Sequence, residues 1–208
     1  GFMNNEAWSR SHHSAETVFE NATGDGPKFK SHSLSGGERN RLFVREKGNF
    51  ADIHQLSGLD MMGDGRSFAL FDYNQDGWLD IALVNPGEPR LQVFKNEFSQ
   101  WSGKPNKSLR IKLEGGNHSS SPSVEFSNRD GYGAEIEVHT TERASLYTHQ
   151  AGEGLSAQNS DWIHVGLDAN ETLKHIIVRW PSGKSSKIEP PQAKSLIVRE
   201  KEEAGASL

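Results

Sequence analysis

Apolar and polar residues alternate along much of this chain, and this period of two constrains the fold more than any other feature of the sequence. Leu109, Ile111 and Leu113 are separated by Arg110 and Lys112. Alternation of this kind is typical of strands that bury one face and expose the other, which favours antiparallel sheets. The same pattern occurs at 134–138, and further strand candidates lie at 41–45, 67–71, 79–84, 90–95, 145–150, 162–167, 173–180 and 194–199.

Clusters of turn-forming residues separate these candidate strands, for example the GDG sequence at 63–65 and the PSG sequence at 181–183. Only residues 51–59 suggest a helical turn or two. The chain has 208 residues, of which 21 are glycine and 33% are hydrophobic. This composition suits short strands joined by many turns, and a chain of this length is still able to bury a core. We therefore predict an all-β fold.

Composition and charge exclude several classes of protein. The chain contains no cysteine, so a disulfide framework, a Cys-ligated zinc site and a cysteine nucleophile are ruled out. The net charge is −5 with no basic block, so the electrostatic footprint of a nucleic-acid-binding protein is missing. The longest apolar runs are short, such as 81–84, so we expect no transmembrane segment.

Changes in composition suggest a division into four parts. Residues 1–15 form a polar arm that contains the adjacent pair His12 and His13, which is either solvated or a minor metal-binding candidate. The polar stretch 99–107 is the best domain boundary, and we expect a first domain at 16–100 and a second at 101–200. Residues 201–208 form a charged tail. We expect 1–15, 115–127 and 201–208 to be the most mobile parts of the chain.

The strongest chemical signal is the nine-residue sequence DYNQDGWLD at 72–80. Oxygen-bearing side chains stand at alternate positions, a glycine permits a sharp turn at position 6, and a main-chain carbonyl is available at position 7. Hard cations such as Ca²⁺ take six to eight oxygen ligands from flexible loops of this kind. The predicted calcium ligands are the side chains of Asp72, Asn74, Asp76 and Asp80 and the carbonyl of Trp78.

An EF-hand loop and a plain polar hairpin use similar residues. An EF-hand requires a bidentate glutamate at position 12, where this chain has Leu83, and it requires flanking helices, whereas the flanks here are short apolar strands. A plain polar hairpin also uses Asn, Asp and Gly. Crowded like charges in a turn repel each other unless a cation neutralises them, so the sequence favours a calcium site over a turn.

The first half of the chain resembles the FG-GAP/VCBS repeat family. The resemblance rests on the segments 40–43, 48–52, 57–59, 71–77 and 91–96, which contain the acidic loop and its flanking strands. Repeats of that family form β-propeller blades with calcium in a hairpin loop. The resemblance therefore implies a propeller-blade-like sheet around the calcium loop.

The second half looks like the ASPIC/UnbV domain. The matching segments are NRDGYGA at 128–134, GEGLSAQNS at 152–160, HVGL at 164–167 and VRWPSG at 178–183. The order of the two modules is similar to the cartilage acidic protein family, whose members are secreted in animals and exported in bacteria. The resemblance implies a secreted, periplasmic or cell-surface location, and we expect a C-terminal antiparallel β-sandwich or barrel.

No arrangement of residues indicates a known hydrolase, and the nine histidines are scattered. His139 and His149 lie on neighbouring predicted strands as a candidate pair, although alternation places His139 on the solvent-exposed face.

We expect an exported, non-catalytic, calcium-binding β module that engages another protein, a cell surface or the matrix. Two alternatives remain open: a calcium-dependent glycan-binding module and an accessory subunit or enzyme of a larger extracellular complex. Trp78, Trp101, Tyr132 and Trp162 are the candidate sugar platforms.

Overall fold

A computed structural model describes residues 3–8, 39–98, 100 and 107–201 of the chain. The chain divides into two compact units. Unit 1 comprises Gly1–Gly103 together with the short segment Gly154–Asn159, and unit 2 comprises Lys104–Glu153 and Ser160–Leu208. Residues 9–15 of the expected arm, the His12–His13 pair and residues 202–208 of the expected tail lie outside the described residues.

Unit 1 contains a four-stranded antiparallel sheet and a separate two-stranded hairpin. Strands β4, β5 and β6 follow one another as antiparallel hairpins, so the loop between β4 and β5 lies at one end of the sheet. The order across the larger sheet is β1-β6-β5-β4, and β2 pairs with β3. In chain order the elements are β1 (Met3–Trp8), β2 (Phe43–Glu46), β3 (Asn49–Asp52), the one-turn helix α1 (His54–Ser57), β4 (Ser67–Phe71), β5 (Asp80–Val84) and β6 (Leu91–Asn96).

The first strand departs from the expectation of a polar arm at 1–15. Met3–Trp8 pairs antiparallel with β6 along its whole length, from Met3 opposite Asn96 to Trp8 opposite Leu91. The partner strand lies more than eighty residues away in sequence, and main-chain hydrogen bonds need no apolar periodicity. Local sequence pattern therefore carries no signal for this pairing.

Among the described residues of unit 1, one small group of apolar side chains forms a hydrophobic core. Leu59, Leu83 and Phe94 are buried together, and Leu42, Met61 and Ile81 pack against them. Polar side chains share this interior, because Gln92 and Asp80 are completely buried and Gln92 accepts a hydrogen bond from Asn85. In this part of the chain, polar and apolar side chains therefore share one interior.

Unit 2 consists of two sheets. One is three-stranded with the order β10-β7-β13, and the other is four-stranded with the order β12-β11-β8-β9. All pairings are antiparallel except that β13 runs parallel to β7. Neither sheet closes into a barrel within the described part of the chain. The strands are β7 (Lys107–Glu114), β8 (Glu135–Thr140), β9 (Ala144–Thr148), β10 (Ile163–Leu167), β11 (Leu173–Arg179), β12 (Ser185–Ile188) and β13 (Ser195–Arg199).

The two sheets of unit 2 enclose one hydrophobic core. Alternate residues of each strand point inward, as the period of two predicts. The buried side chains come from both sheets and include Leu109, Ile111 and Leu113 of β7, Ile136 and Val138 of β8, and Ile176 and Val178 of β11. The all-β prediction is confirmed, and of the two expected forms for the second half the structure has a sandwich.

Two isoleucines of unit 2 differ in burial, so their substitution should have different effects on stability. Ile111 is completely buried, whereas Ile197 on the neighbouring strand β13 is 42% exposed. We expect Ile111→Val to lower the free energy of unfolding by about 0.5–1.5 kcal/mol, because it removes one methylene from a packed core. Ile197→Val is the matched control and is expected to change it by less than about 0.5 kcal/mol. Urea denaturation measures both, and equal losses would contradict the assignment of the core.

Besides β1, two strands lie outside the sequence-based candidates. β3 occupies Asn49–Asp52, so the helical expectation at 51–59 holds only for the single turn His54–Ser57. β12 covers Ser185–Ile188, whose residues SSKI offer little apolar alternation. Each of these strands is the second strand of a hairpin and pairs antiparallel with the strand before it. The main-chain hydrogen bonds of this pairing stabilise the strand although its sequence shows little apolar alternation.

Loop 115–127 of unit 2 is anchored at both ends. Asn117 hydrogen-bonds the main chain at Ser123 and Phe126. The Glu200 carboxylate accepts hydrogen bonds from the backbone N–H groups of Gly116 and Ser127 at 2.9 and 2.8 Å. These contacts limit the freedom of the loop ends, and the expected mobility between them stays a prediction.

Candidate functional site

The connection between β4 and β5 contains the acidic motif. β4 ends at Phe71, which lies opposite Asp80, the first residue of β5, so residues 72–79 form the loop that closes this hairpin. The backbone adopts left-handed conformations at Gln75 (φ 57°) and Gly77 (φ 88°). Glycine takes such angles without strain, which explains its position in the motif.

Two of the aspartates turn their carboxylates toward the backbone of the loop. Asp72 accepts hydrogen bonds from the N–H groups of Asp76 at 3.1 Å and Gly77 at 2.9 Å. Asp76 accepts one from the N–H of Trp78 at 2.8 Å and one from the side-chain amide of Asn74 at 2.9 Å. These bonds hold residues 72–78 in a compact coil in which the carboxylates of Asp72 and Asp76 bind N–H groups of the loop.

The third aspartate is buried. Asp80 is completely inaccessible to solvent, and its two oxygens accept hydrogen bonds from the N–H of Asn96 at 2.8 Å and the N–H of Tyr73 at 3.1 Å. Burial raises the pKa of the Asp80 carboxyl above its usual 3.8, and the negative charges of Asp76 and Asp72 act in the same direction. The two backbone hydrogen bonds oppose this increase without cancelling it.

Among the residues that the structure describes, no cation balances the charge of these three carboxylates. Within the described ranges, no lysine, arginine or histidine forms an ion pair with Asp72, Asp76 or Asp80. A buried carboxylate normally has a positive partner or is neutralised. The raised pKa of Asp80 is consistent with this uncompensated negative charge. A bound cation would neutralise the charge.

The donor atoms suit a hard cation, although their present arrangement is not a closed cage. Among the residues that the structure describes, no group of three or more His, Asp or Glu side chains is arranged to hold a metal ion. The predicted set instead combines three carboxylates with an amide oxygen and a main-chain carbonyl. An ionised carboxylate has about four acceptor sites, and each of the three uses two for hydrogen bonds. Each carboxylate therefore keeps acceptor sites that its hydrogen bonds do not use.

The candidate sugar platforms differ in their surroundings. Trp78 is half-buried, its ring packs edge-on against Phe98 with centroids 5.0 Å apart, and its indole nitrogen is buried without a partner among the described residues. Tyr132 stacks on His149, and the cations of Arg110 and Lys112 lie over Trp162. Trp101 lies outside the described residues. No open aromatic face among the described candidates singles out a glycan site.

A second polar cluster in unit 1 is not apparent from the sequence. His54 of α1 is buried and lies 2.7 Å from an oxygen of Asp52, which also accepts a hydrogen bond from Arg41 at 2.9 Å. Burial acts to raise the pKa of Asp52, but the hydrogen bonds from His54 and Arg41 outweigh it and hold the pKa below its usual value. Asp60 pairs with Arg39 at 2.8 Å. Both carboxylates have an arginine partner, so this cluster resembles a structural cross-link.

The motifs of the second half have structural roles in the described residues. Gly131 has a positive φ of 70°, and a Cβ there would lie 2.8 Å from the side chain of Leu113. Trp180 is buried and donates its indole N–H to Ser186. Part of the GEGLSAQNS motif belongs to unit 1, where Asn159 accepts a hydrogen bond from the N–H of Leu70 at 2.8 Å. This segment borders a cavity of about 450 Å³ beside Phe68 and Val84.

Comparison with known proteins bears on the second half of the chain. None of the described helices is long and apolar enough to cross a membrane. No curated protein matches the chain. Residues 125–206, which form most of unit 2, match the family model described as ASPIC and UnbV. The C-terminal part of the chain is therefore similar to the ASPIC and UnbV family.

Proposed function

We propose that the protein is an exported, non-catalytic calcium-binding β module that engages another protein or a component of the cell surface or matrix. The single observation that carries the calcium part is the completely buried carboxylate of Asp80. It has two backbone hydrogen bonds, no cationic partner among the described residues and two further carboxylates close enough to raise its pKa. A calcium ion would balance this charge and tie the loop to the ends of β4 and β5.

The position of the loop also supports this proposal. The resemblance to FG-GAP/VCBS repeats implies calcium at a hairpin of an antiparallel blade, and the acidic loop joins the neighbouring strands β4 and β5 of a four-stranded antiparallel sheet. In this account the side chains of Asp72, Asn74, Asp76 and Asp80 and the carbonyl of Trp78 hold the ion. Calcium supplies positive charge and a cross-link, and no reacting group is required.

The engagement of a partner is supported by the surface of unit 1. All residues of the β2–β3 hairpin are exposed, including Phe43 at 56% and Phe50 at 70%. Phe68 on β4 is also exposed. Phe43 and Phe50 share one face of the hairpin, because Phe50 lies opposite Arg45, two residues after Phe43. Large apolar side chains that share a surface are a common property of interaction sites. The ASPIC/UnbV similarity and the family resemblance that it accompanies support an extracellular location.

The calcium proposal is tested by calorimetric titration of the full chain with CaCl₂ and, separately, MgCl₂. We expect one calcium ion to bind, with a dissociation constant on the order of 10⁻³ M or tighter, as for extracellular modules. Magnesium should bind more weakly, because it requires a tighter octahedral shell and releases water reluctantly.

A glycan array probed with and without calcium separates the proposed protein-binding or surface-binding module from the alternative of a calcium-dependent glycan-binding module. Calcium-dependent sugar binding would favour that alternative.

Because the pKa of Asp80 is raised, the gain in unfolding free energy from calcium should depend on pH. Because the folded, metal-free protein holds the Asp80 proton more tightly than the unfolded chain does, the stabilising effect of that proton is fully present below about pH 3.8. It is lost as the pH rises through the higher folded-state pKa. Calcium replaces the proton as the neutralising charge, so the calcium-dependent gain in unfolding free energy should grow from pH 4 to pH 7. Urea denaturation with calcium or EDTA measures this gain, and an equal gain at both pH values would contradict the assignment.

A further inference from the structure

The β2–β3 hairpin of unit 1 is a sheet of only two strands. Every residue of both strands is exposed, and no other described strand pairs with either of them. A two-stranded sheet on its own is only marginally stable in water, whereas a third strand and an apolar face give a sheet independent stability. The hairpin therefore has the properties of a sheet that another strand completes.

The register of the hairpin identifies the main-chain groups that point outward. A two-residue turn joins the strands, so the residues that flank it, Glu46 and Asn49, form a hydrogen-bonded pair. In an antiparallel sheet such pairs alternate with pairs whose N–H and C=O groups point away from the partner strand. The main-chain groups of Phe43 and Arg45 therefore point away from β3, and they have no hydrogen-bond partner among the described residues.

This outer edge of β2 presents an apolar and a cationic side chain on one face. Phe43 and Arg45 are two residues apart in a strand, so their side chains share a face of the hairpin. Phe50 lies on the same face as the direct cross-strand neighbour of Arg45. A strand added to this edge would lie against Phe43 and Arg45 and would also reduce the exposure of the aromatic face.

The positive charge at this edge is not balanced within the described part of the chain. Arg41 on the same face has an ion-pair partner, Asp52, at 2.9 Å. Arg45 and Lys47, in contrast, form no ion pair with any described residue. Glu46 lies between them in sequence, so its side chain is on the opposite face of the hairpin. A partner that is complementary in charge to this edge carries negative charge.

We propose that the outer edge of β2 accepts an extended segment of a partner protein as an antiparallel third strand. The segment carries an acidic residue opposite Arg45 and a large apolar residue opposite Phe43, so the acidic residue precedes the apolar one by two positions. Main-chain hydrogen bonds give such strand addition its affinity, and the cross-strand side-chain pairs give it specificity. This inference rests on the proposed engagement of a partner by unit 1 and does not depend on calcium.

Two other occupants fit this edge less well. A lipid surface offers no partners for the free N–H and C=O groups, which would lose water without a replacement. A second copy of the chain that paired through its own β2 would add Arg45 and Lys47 of that copy to an edge that lacks negative charge. An acidic and apolar peptide strand satisfies both the main-chain groups and the charge.

The experiment titrates the full chain with the fluorescein-labelled peptide GSTVEVFTSG, in which glutamate precedes phenylalanine by two positions, and follows fluorescence anisotropy. In the comparison peptide GSTVKVFTSG, lysine replaces the glutamate. We expect the lysine peptide to bind about five- to tenfold more weakly, because an attractive cross-strand pair becomes a repulsive one. Arg45→Glu should reverse this preference, which a merely structural role of Arg45 would not do.

The apolar contact is tested with a matched pair of variants. Phe43→Ser should weaken binding of the glutamate peptide at least about fivefold, because it removes the apolar cross-strand pair. Leu146→Ser changes an apolar residue of unit 2 that is 61% exposed, and it should have no effect. Phe43, Arg45 and Leu146 are all exposed, so none of these variants removes a core side chain, and thermal unfolding verifies that each is folded.

Amide hydrogen exchange followed by nuclear magnetic resonance identifies the edge that is used. With the glutamate peptide bound, the N–H groups of Phe43 and Arg45 should exchange at least about tenfold more slowly, because they become donors in the new pairing. The N–H of Phe50 points outward at the opposite edge of the hairpin, on β3, and its exchange should not change. Slower exchange at Phe50 alone would contradict the assignment to β2.

The same experiment can overturn the proposal in distinguishable ways. Equal affinity for the two peptides, or no binding of either, would overturn strand addition at β2. Binding to phosphatidylserine vesicles that Phe43→Ser abolishes, or a dimer that Arg45→Glu abolishes, would also overturn it but would keep the engagement of a partner by unit 1. Absence of all three kinds of binding would remove this hairpin from the proposed function. Each titration is run in EDTA and in CaCl₂, so the outcome for calcium is separate.

Discussion

Asp80→Ala is expected to destabilise unit 1 even when no calcium is present. The substitution removes the acceptor of the backbone N–H groups of Tyr73 and Asn96, in a place where the carboxylate is completely buried. Each buried donor that loses its partner costs about 1–3 kcal/mol, and the removal of an unbalanced charge offsets part of this loss. Urea denaturation in EDTA measures the net effect on the free energy of unfolding.

Asp76→Ala is the matched control for this loss. It removes a carboxylate from the same loop, but Asp76 is exposed and water can replace it at the N–H of Trp78. We expect a change of less than about 1 kcal/mol in EDTA. If Asp80→Ala were as stable as the unmodified chain in EDTA, the buried carboxylate would not hold β5 and β6 to the loop in the way described.

Millimolar calcium is expected to raise the melting temperature of unit 1. The gain depends on the ratio of the calcium concentration to the dissociation constant, because the unfolded chain lacks the converged loop: it is about 0.4 kcal/mol when the two are equal and about 2.7 kcal/mol at a hundredfold excess of calcium. At the hundredfold excess the increase corresponds to roughly 5–10 °C for cooperative unfolding of a chain of this size. Asp72→Ala and Asp76→Ala should each abolish the increase, since each removes a proposed ligand, and differential scanning calorimetry with calcium or EDTA measures it.

The control for the calcium effect is Asp60→Ala. Asp60 is also an aspartate of unit 1, but it pairs with Arg39 and does not belong to the loop. This variant should melt at a lower or unchanged temperature in EDTA while it keeps the full calcium-dependent increase. Loss of the increase in Asp60→Ala, or its survival in Asp72→Ala, would show that calcium acts elsewhere.

Local pattern predicted those features that depend on neighbouring residues. The alternation at 109–113 and 134–138 identifies the strands that build the core of unit 2, because side-chain direction in a strand follows directly from sequence position. The position of the acidic motif between two strands also follows from the sequence, since turn residues and apolar runs mark both ends of the loop. Its role as a calcium site stays a prediction.

Features that depend on pairing between strands far apart in the chain could not be predicted from the sequence. The strand Met3–Trp8 finds its partner in β6, and the parallel alignment of β13 with β7 joins segments about eighty residues apart. His139 likewise stacks on His175 because of the register of β8 against β11, and the candidate pairing of His139 with His149 is wrong. The cluster of Asp52, His54 and Arg41 forms because the β2–β3 hairpin folds back on itself. The residues in these contacts are not separated by a characteristic number of positions, so a single sequence does not indicate that they meet.

The measurement that tests the central claim most directly is the amount of calcium bound to the purified chain. The protein is dialysed against millimolar CaCl₂, passed rapidly through a desalting column and analysed by inductively coupled plasma mass spectrometry, with equilibrium dialysis against ⁴⁵Ca²⁺ in case the ion exchanges quickly. We predict one calcium ion per chain in the unmodified protein and in Asp60→Ala, and none in Asp72→Ala/Asp76→Ala. Absence of calcium from the unmodified chain, or an equal amount in the double variant, would contradict the account.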